Sequence, residues 1–258
     1  MKKGLFYKLK YSATADLYNR LFRPEKRKEL VHELSFYKSF LPKCRLIFDI
    51  GANDGRKTEV FKVLAAKVIA CEPDPVNIEI LHTRFRKSKQ VVVEPVAVSD
   101  KEGTELLYIH HPGSELNTLN PGFKTILETD QKGRWKDPVQ YSGNKITVKT
   151  QRLDSLIEKH GRPDFIKIDV EGSELKVLKR LSHPVPFISF EVLLPEFMDQ
   201  AQEAIQLLVA LDKNTIFNYS VEEKLVLANF LSAERFSNLL PELPIHHLEI
   251  IAVTSEPL

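Results

Sequence analysis

Three apolar runs near the start of the chain are each too short to cross anything larger than a sheet, and helical stretches separate them. Residues 46–50 are apolar apart from one acid and stop at Gly51, as a buried parallel strand does. Helical spacing follows over 56–64, with Val60, Phe61 and Leu64 facing inward. Residues 67–72 form a second run that closes on Glu72. Asp74 and Pro75 then suit an N-cap and a first helical position, and Ile78, Leu81 and Phe85 share one face of the helix behind them. Residues 91–98 make a third strand, interrupted by Pro95. Strand–helix–strand–helix–strand in this order predicts parallel βαβ units.

The pattern changes after residue 98. Residues 104–109 and 146–151 are β-like, and the stretch between them is rich in Gly, Pro, Asn and Ser. This predicts a hairpin-like insertion carrying a long loop, a class of segment that is usually functional or mobile. Further helices are expected over 153–160, 173–181, 199–211 and 233–240, and further strands over 165–169, 187–192, 215–219, 224–229 and 248–254. No repeat or linker divides the chain. It is expected to form one α/β domain over residues 46–258, preceded by a helical extension over 1–45. In that extension Leu30, Val31, Leu34, Tyr37 and Leu41 fall at helical spacing.

Composition narrows the class. With 43% hydrophobic and 28% charged residues among 258, the chain is globular in character. Charge is unevenly placed: residues 1–45 hold 12 Lys/Arg against 4 Asp/Glu, and residues 46–258 hold 25 against 31. A basic head of this kind is either a solvated helix or a weak contact to an anionic surface. Two cysteines, Cys44 and Cys71, cannot build a disulfide framework. The first residues lack the unbroken apolar run of a signal peptide, because Lys8, Lys10 and Asp16 interrupt it. A cytoplasmic protein without a membrane span is expected.

The most informative local sequence is the loop at 48–55, Phe-Asp-Ile-Gly-Ala-Asn-Asp-Gly. Glycine lets a backbone turn sharply and approach a ligand, and the following helix N-terminus presents free N–H groups. A dinucleotide loop would need GxGxxG, but the second and third glycine positions after Gly51 hold Asn53 and Arg56. No GxxxxGK[ST] phosphate loop is present either. By itself the loop also suits a plain tight turn. Glu72 adds to it, because an acid at the end of the next strand can accept both hydroxyls of a ribose. Residues 165–175 then bring Asp169 and Glu171 to the end of another buried strand, followed by Gly172. Three converging acids favour a cofactor that carries positive charge over a diphosphate.

These segments resemble the FkbM-type family of S-adenosylmethionine-dependent methyltransferases, most specifically in Lys167-Ile168-Asp169-Val170-Glu171-Gly172-Ser173-Glu174. The resemblance covers residues 44–192 well and the remainder loosely. It implies a class I methyltransferase fold: a Rossmann-like three-layer sandwich with a seven-stranded, mostly parallel sheet whose last strand is antiparallel. It implies S-adenosyl-L-methionine as cofactor and usually O-methylation. Asp49, Gly51, Ala52, Asn53 and Gly55 would surround the methionine part, Glu72 and Pro73 the ribose, and Val96 and Ala97 the adenine. Asp169 would lie near the methionine amino group or the transferred methyl. The Asn/Asp-Pro-Pro-aromatic run of amino-directed nucleic-acid methyltransferases is replaced by Asp169-Val170-Glu171-Gly172, which disfavours nucleic acid as partner.

A hydroxyl acceptor needs a base for its proton. Glu171 is the expected base, with Asp169 and Glu191 as the other candidates; orientation of the loop or a helix cap is the alternative role for Glu171. No metal is called for, although Asp169 and Glu171 could supply oxygens to a divalent ion. His110 and His111 begin the long loop and suit a solvent-exposed turn or an acceptor contact. His246 and His247 are expected to be structural. Trp135 and Tyr141 could stack on a sugar or simply pack, and Ser114, Asn117 and Asn120 could hydrogen-bond a polyhydroxylated acceptor. The expected acceptor is a sugar, a glycolipid or a related small molecule. A secondary metabolite, a protein side chain, or a non-catalytic cofactor-binding role are the alternatives.

Overall fold

A computed structural model describes residues 24–129 and 139–254. Its main sheet is built from β1 (Cys44–Ile50), β2 (Ala65–Cys71), β3 (Val91–Glu94), β7 (Phe165–Ile168), β8 (Phe187–Leu193), β9 (Ile216–Val221), β10 (Lys224–Leu225), β11 (Leu231–Ser232) and β12 (His247–Val253). The strand order is β10-β9-β12-β8-β7-β1-β2-β3, with β11 pairing on β9. From β3 to β8 every pairing is parallel, whereas β12 runs antiparallel to both β8 and β9. The sheet has nine strands, not the expected seven. The two additional ones, β10 and β11, are two-residue strands that trim the β9 edge.

Residue parity along the strands separates the two faces. Ile47, Val68 and Phe165 join one apolar cluster, and their neighbours Phe48, Ile69 and Ile166 join another. On the first face lie α1 (Pro24–Lys38) and α2 (Arg56–Leu64). Leu81 and Phe85 of α3 (Pro75–Phe85) pack there too, against Ala70. The second face is covered by α5 (Leu153–His160), α6 (Glu174–Leu178), α7 (Met198–Leu211) and α8 (Ala233–Leu239). The result is the expected three-layer arrangement.

Helix α1 and the residues just after it bury most of the stripe that the spacing predicts: Tyr37 and Leu41 are buried and Leu34 packs beside them, whereas Leu30 and Val31 are exposed and Glu33 and Phe36 are buried in their place. Tyr37 meets Phe61 of α2 at 4.9 Å between ring centroids, and Phe40 meets Phe165 at 6.3 Å. Burial of each such aromatic contributes about 1.5–3 kcal/mol, enough to override the weaker preference of Leu30 and Val31. The lysines and arginines of the basic head before residue 24 lie outside the described residues.

At Pro95 the chain leaves the main sheet. β4 (Ala97–Val98) pairs parallel with β6 (Lys145–Gln151), and β6 pairs antiparallel with β5 (Gly103–Tyr108). The single expected strand over 91–98 is therefore two strands in two sheets, because a proline has no N–H to continue the ladder. Between β5 and β6 the structure contains α4 (Pro121–Thr129), which the loop-like composition conceals. It buries Phe123 and Leu127. Arg152 is the N-cap residue of α5, and Asp154 in its first turn accepts hydrogen bonds from the Ser182 N–H and hydroxyl.

Candidate functional site

β1 is flanked by β2 on one side and β7 on the other, so successive crossovers leave it in opposite directions. A crevice opens at such a switch point, beyond the carboxyl ends of the strands. Here it is a cleft of about 800 Å³, within the range of roughly 300–1,000 Å³ usual for small-molecule sites.

The turn after β1 forms one wall. The Gly51 and Ala52 N–H groups both donate to the Cys71 carbonyl, at 3.0 and 2.9 Å, and the Asp169 N–H donates to the Ile50 carbonyl. Gly51 has φ +85, and a Cβ there would lie 1.7 Å from the Asp169 carbonyl oxygen. Gly51 is thus required both by its conformation and by the approach of the β7 loop. Gly55 has a similar φ of +82, but its missing Cβ faces Phe85 and Leu81 at 2.6 and 2.8 Å. The structure places Gly55 against α3 rather than at the cleft. Asp49 is buried beneath the turn, where the Thr58 hydroxyl donates to it at 2.5 Å. Burial pushes its carboxyl up to about 6, against the Thr58 hydrogen bond.

Glu72 closes β2 and faces the cleft. One carboxylate oxygen accepts from the Asp74 N–H and the other from the Asn53 N–H, each at 2.8 Å. Each oxygen keeps a second lone pair for a ligand hydroxyl. Burial pushes this carboxyl up to about 7, against those two N–H donors. Pro73, Val96 and Ala97 line the same side, together with Ile80 and Leu107. Of the cofactor residues the sequence predicts, Gly51, Ala52, Asn53, Glu72, Pro73, Val96, Ala97 and Asp169 come together here.

The opposite wall carries a chain of charges. Lys167, inside β7, is wholly buried. Its ammonium donates to Asp169 at 2.6 Å and to Glu191 at 3.2 Å. Burial alone would discharge it, but Asp169, Glu191 and Glu249 outweigh that and hold it well above the usual lysine range. Burial also opposes the charge on Glu191, yet Lys167 and His247 hold that carboxyl well below its usual range. His247 reaches Glu191 from β12, with Nε2 at 3.0 Å. Asp169 moves upward through burial and the neighbouring Glu191, with Lys167 pulling the other way. Glu171 has φ +55 and lines the cleft. Burial, then Asp169, Glu191, Glu174 and Glu115, push its carboxyl well up.

The insertion joins the two walls. Gly113 N–H and the Asn117 side-chain amide both donate to Asp74, at 2.8 and 2.6 Å. The Thr118 hydroxyl donates to the Glu171 carbonyl at 2.6 Å, and the Asn120 amide to the Gly172 carbonyl. Asp74 therefore caps α3 through one oxygen and anchors the insertion through the other. His110 and His111 line the cleft, with Nδ1 of His110 2.9 Å from the Ser114 hydroxyl. The Tyr141 hydroxyl donates to the Leu116 carbonyl and braces the loop. Trp135 lies outside the described residues.

Two residues of this charge chain, Lys167 and His247, carry no site role in the sequence reading, which expects His247 to be structural. Lys167 sits in a run expected to be apolar, and a lysine there is itself a flag. His247 joins the site only through the antiparallel pairing of β12 with β8, which no local pattern encodes.

The Methyltransferase FkbM domain family matches residues 49–221, which hold the glycine turn, Glu72, the insertion and the β7 loop. The chain belongs to this family. Methyltransferase sdnD of Sordaria araneosa is 30% identical to it over 173 residues, covering 59% of this chain and 66% of that protein. The crystal structure of methyltransferase FkbM from Methylobacillus flagellatus shares the fold at TM-score 0.51 and 14% identity, covering 85% of this chain and 47% of that one. The chain thus spans only part of the length of both of these proteins. Plantazolicin methyltransferase BpumL, solved with SAH, is 11% identical with a TM-score of 0.42, over 99% of this chain and 98% of that one.

Proposed function

We propose that the chain is an S-adenosylmethionine-dependent methyltransferase that methylates a hydroxyl on a sugar, a glycolipid or a related small molecule. The observation that carries the reading is the meeting of the Gly51 turn, Glu72, Asp169 and Glu171 on one cleft at the switch point. The residues fit that cofactor. Glu72 keeps a free lone pair on each oxygen for ribose hydroxyls. Val96, Ala97 and Ile80 supply an apolar wall for adenine. Asn53, Ala52 and Asp169 surround the place of the amino acid tail. When bound, the cofactor supplies an electrophilic methyl group on a sulfonium.

The task of the chain is chiefly positioning, since alignment for in-line displacement can contribute roughly 7–11 kcal/mol. Asp169 and Glu171 stand at the reacting edge of the cleft. Lys167 compensates the charge of Asp169. Glu171, crowded by other acids, keeps its proton to higher pH than an ordinary carboxyl does. In that form it donates a hydrogen bond and orients the acceptor oxygen. The insertion, tied to both walls, lines the cleft beside these groups.

Calorimetry with S-adenosylmethionine and S-adenosylhomocysteine tests the cofactor. Saturable binding of both is expected, and no heat with either at millimolar ligand would sink the reading. Transfer of labelled methyl groups to a glycan fraction of cell extract, compared with lipid and protein fractions, tests the acceptor. Label confined to protein would overturn the small-molecule assignment.

A further inference from the structure

Methylation of a hydroxyl leaves a proton to be removed, and burial together with Asp169 and Glu191 pushes the Glu171 carboxyl well up from its usual range. We propose that His247 is the catalytic base of this reaction, with Glu191 and Lys167 as its positioning residues. The inference rests on the methyltransferase reading given above.

Four observations carry it. His247 lines the cleft that holds Asp169 and Glu171. Its Nε2 lies 3.0 Å from Glu191, whose carboxylate accepts the Nε2–H and so leaves the lone pair on Nδ1. Glu191 is itself fixed by the buried Lys167 ammonium at 3.2 Å. The imidazole side chain is 60% exposed, and among the described residues no partner occupies Nδ1. A second hollow, lined by Phe123, Phe190, Phe197 and Ala201, shares Asp169, Glu171, Glu191 and His247 with the cleft. The dyad therefore stands where the cleft meets a small apolar hollow of about 40 Å³.

The acceptor oxygen forms a bond to the methyl carbon while the carbon–sulfur bond breaks, and that electron pair stays on sulfur. The hydroxyl proton passes to Nδ1 of His247, and Glu191 stabilises the imidazolium. The charged groups acting on the ring are Glu191 on β8, Lys167 on β7 and Asp169 in the loop just after it, and Glu171, Lys57 and Glu223 line the same cleft. The hydrogen bond to Glu191 raises the imidazole above its usual value, so the basic form appears only on the alkaline side of an ordinary histidine titration.

Two measurements test this. The first needs no acceptor: ¹⁵N-histidine spectra of the full chain with S-adenosylhomocysteine, titrated from acid to alkaline pH. The expected result is a neutral His247 protonated on Nε2, whose titration moves to lower pH in E191Q. A proton on Nδ1, or a titration indifferent to E191Q, overturns the proposal. The second compares H247Q with wild type for labelled-methyl transfer to the extract fraction that accepts label. Turnover about a hundredfold lower is expected, in line with general-base catalysis, with S-adenosylhomocysteine affinity within threefold of wild type. In E191Q, loss of activity with the ascending acid limb of the pH profile moved to lower pH supports positioning, whereas an unmoved limb counts against it. If H247Q keeps turnover within threefold, His247 is not the base, and the methyltransferase reading stands. If wild type binds neither cofactor form, the parent reading falls instead.

Discussion

The Cβ that Gly51 lacks would lie 1.7 Å from the carbonyl oxygen of Asp169, so the β1 turn and the β7 loop share one van der Waals boundary. Gly51→Ala must push these two walls apart. It must also hold alanine at φ +85, which costs about 1–2 kcal/mol. Affinity for S-adenosylhomocysteine is expected to fall more than tenfold. Gly55→Ala makes the contrasting control, because it presses on Phe85 and Leu81 and not on the cleft. It is expected to cost about 1–3 kcal/mol of stability while affinity stays within threefold. Equal losses of affinity in the two variants would contradict this division of labour.

Lys167 is wholly buried and holds together two carboxylates that would otherwise repel. Lys167→Met removes the compensating charge and leaves Asp169 and Glu191 facing each other. Breaking a buried pair in this way costs about 3–5 kcal/mol. Urea denaturation at neutral pH checks it, and a loss below about 1 kcal/mol would show that water already screens the pair.

Asp49, Glu72 and Glu174 all have folded-state values pushed upward by burial, to about 6, about 7 and about 7. The folded protein therefore binds more protons than the unfolded chain between the usual carboxylate range and neutrality. Their contribution to stability is full below the unfolded values and is lost as pH rises through the folded ones. In the absence of ligand, Glu72→Gln is expected to flatten the fall in melting temperature between pH 5 and 7. A slope identical to wild type would place the titration elsewhere.

Asn117 ties the insertion to Asp74 at 2.6 Å while its own carbonyl oxygen accepts from the His110 N–H at 2.9 Å. Asn117→Ala removes both bonds. Hydrogen exchange over residues 109–120 is expected to accelerate, and release of S-adenosylhomocysteine in stopped flow to quicken about tenfold. Unchanged exchange would mean that Gly113, Thr118 and Asn120 hold the insertion without Asn117.

The strands and helices of the main sheet are legible in the sequence because each is both locally patterned and globally buried. Helix α2 matches its spacing over 56–64, and Asp74 caps α3 with Pro75 at the first turn, as their residue types predict. The failures have a common cause, which is contact between distant segments. Gly51 and Gly55 have nearly the same φ, and only their neighbours from β7 and α3 separate a cleft glycine from a packing glycine. α4 is hidden because Pro121 and Gly122 open it, although Phe123 and Leu127 are buried. His247 enters the site through strand register and through Glu191, neither of which a linear motif records.

Pro95 sends the chain out of the main sheet, and the small sheet sends it back close to the same point. Ala97 pairs with Thr150 and Val98 with Gln151, so departure and return lie side by side. The segment between is thus a cassette with adjacent ends. Its length and chemistry can change without shifting β1, β2 or β7, which hold Gly51, Glu72 and Asp169 in place. The fold in this way brings two independently built walls to one cleft, one from the edges of β1, β2 and β7 and one from a segment anchored at a single point of the sheet.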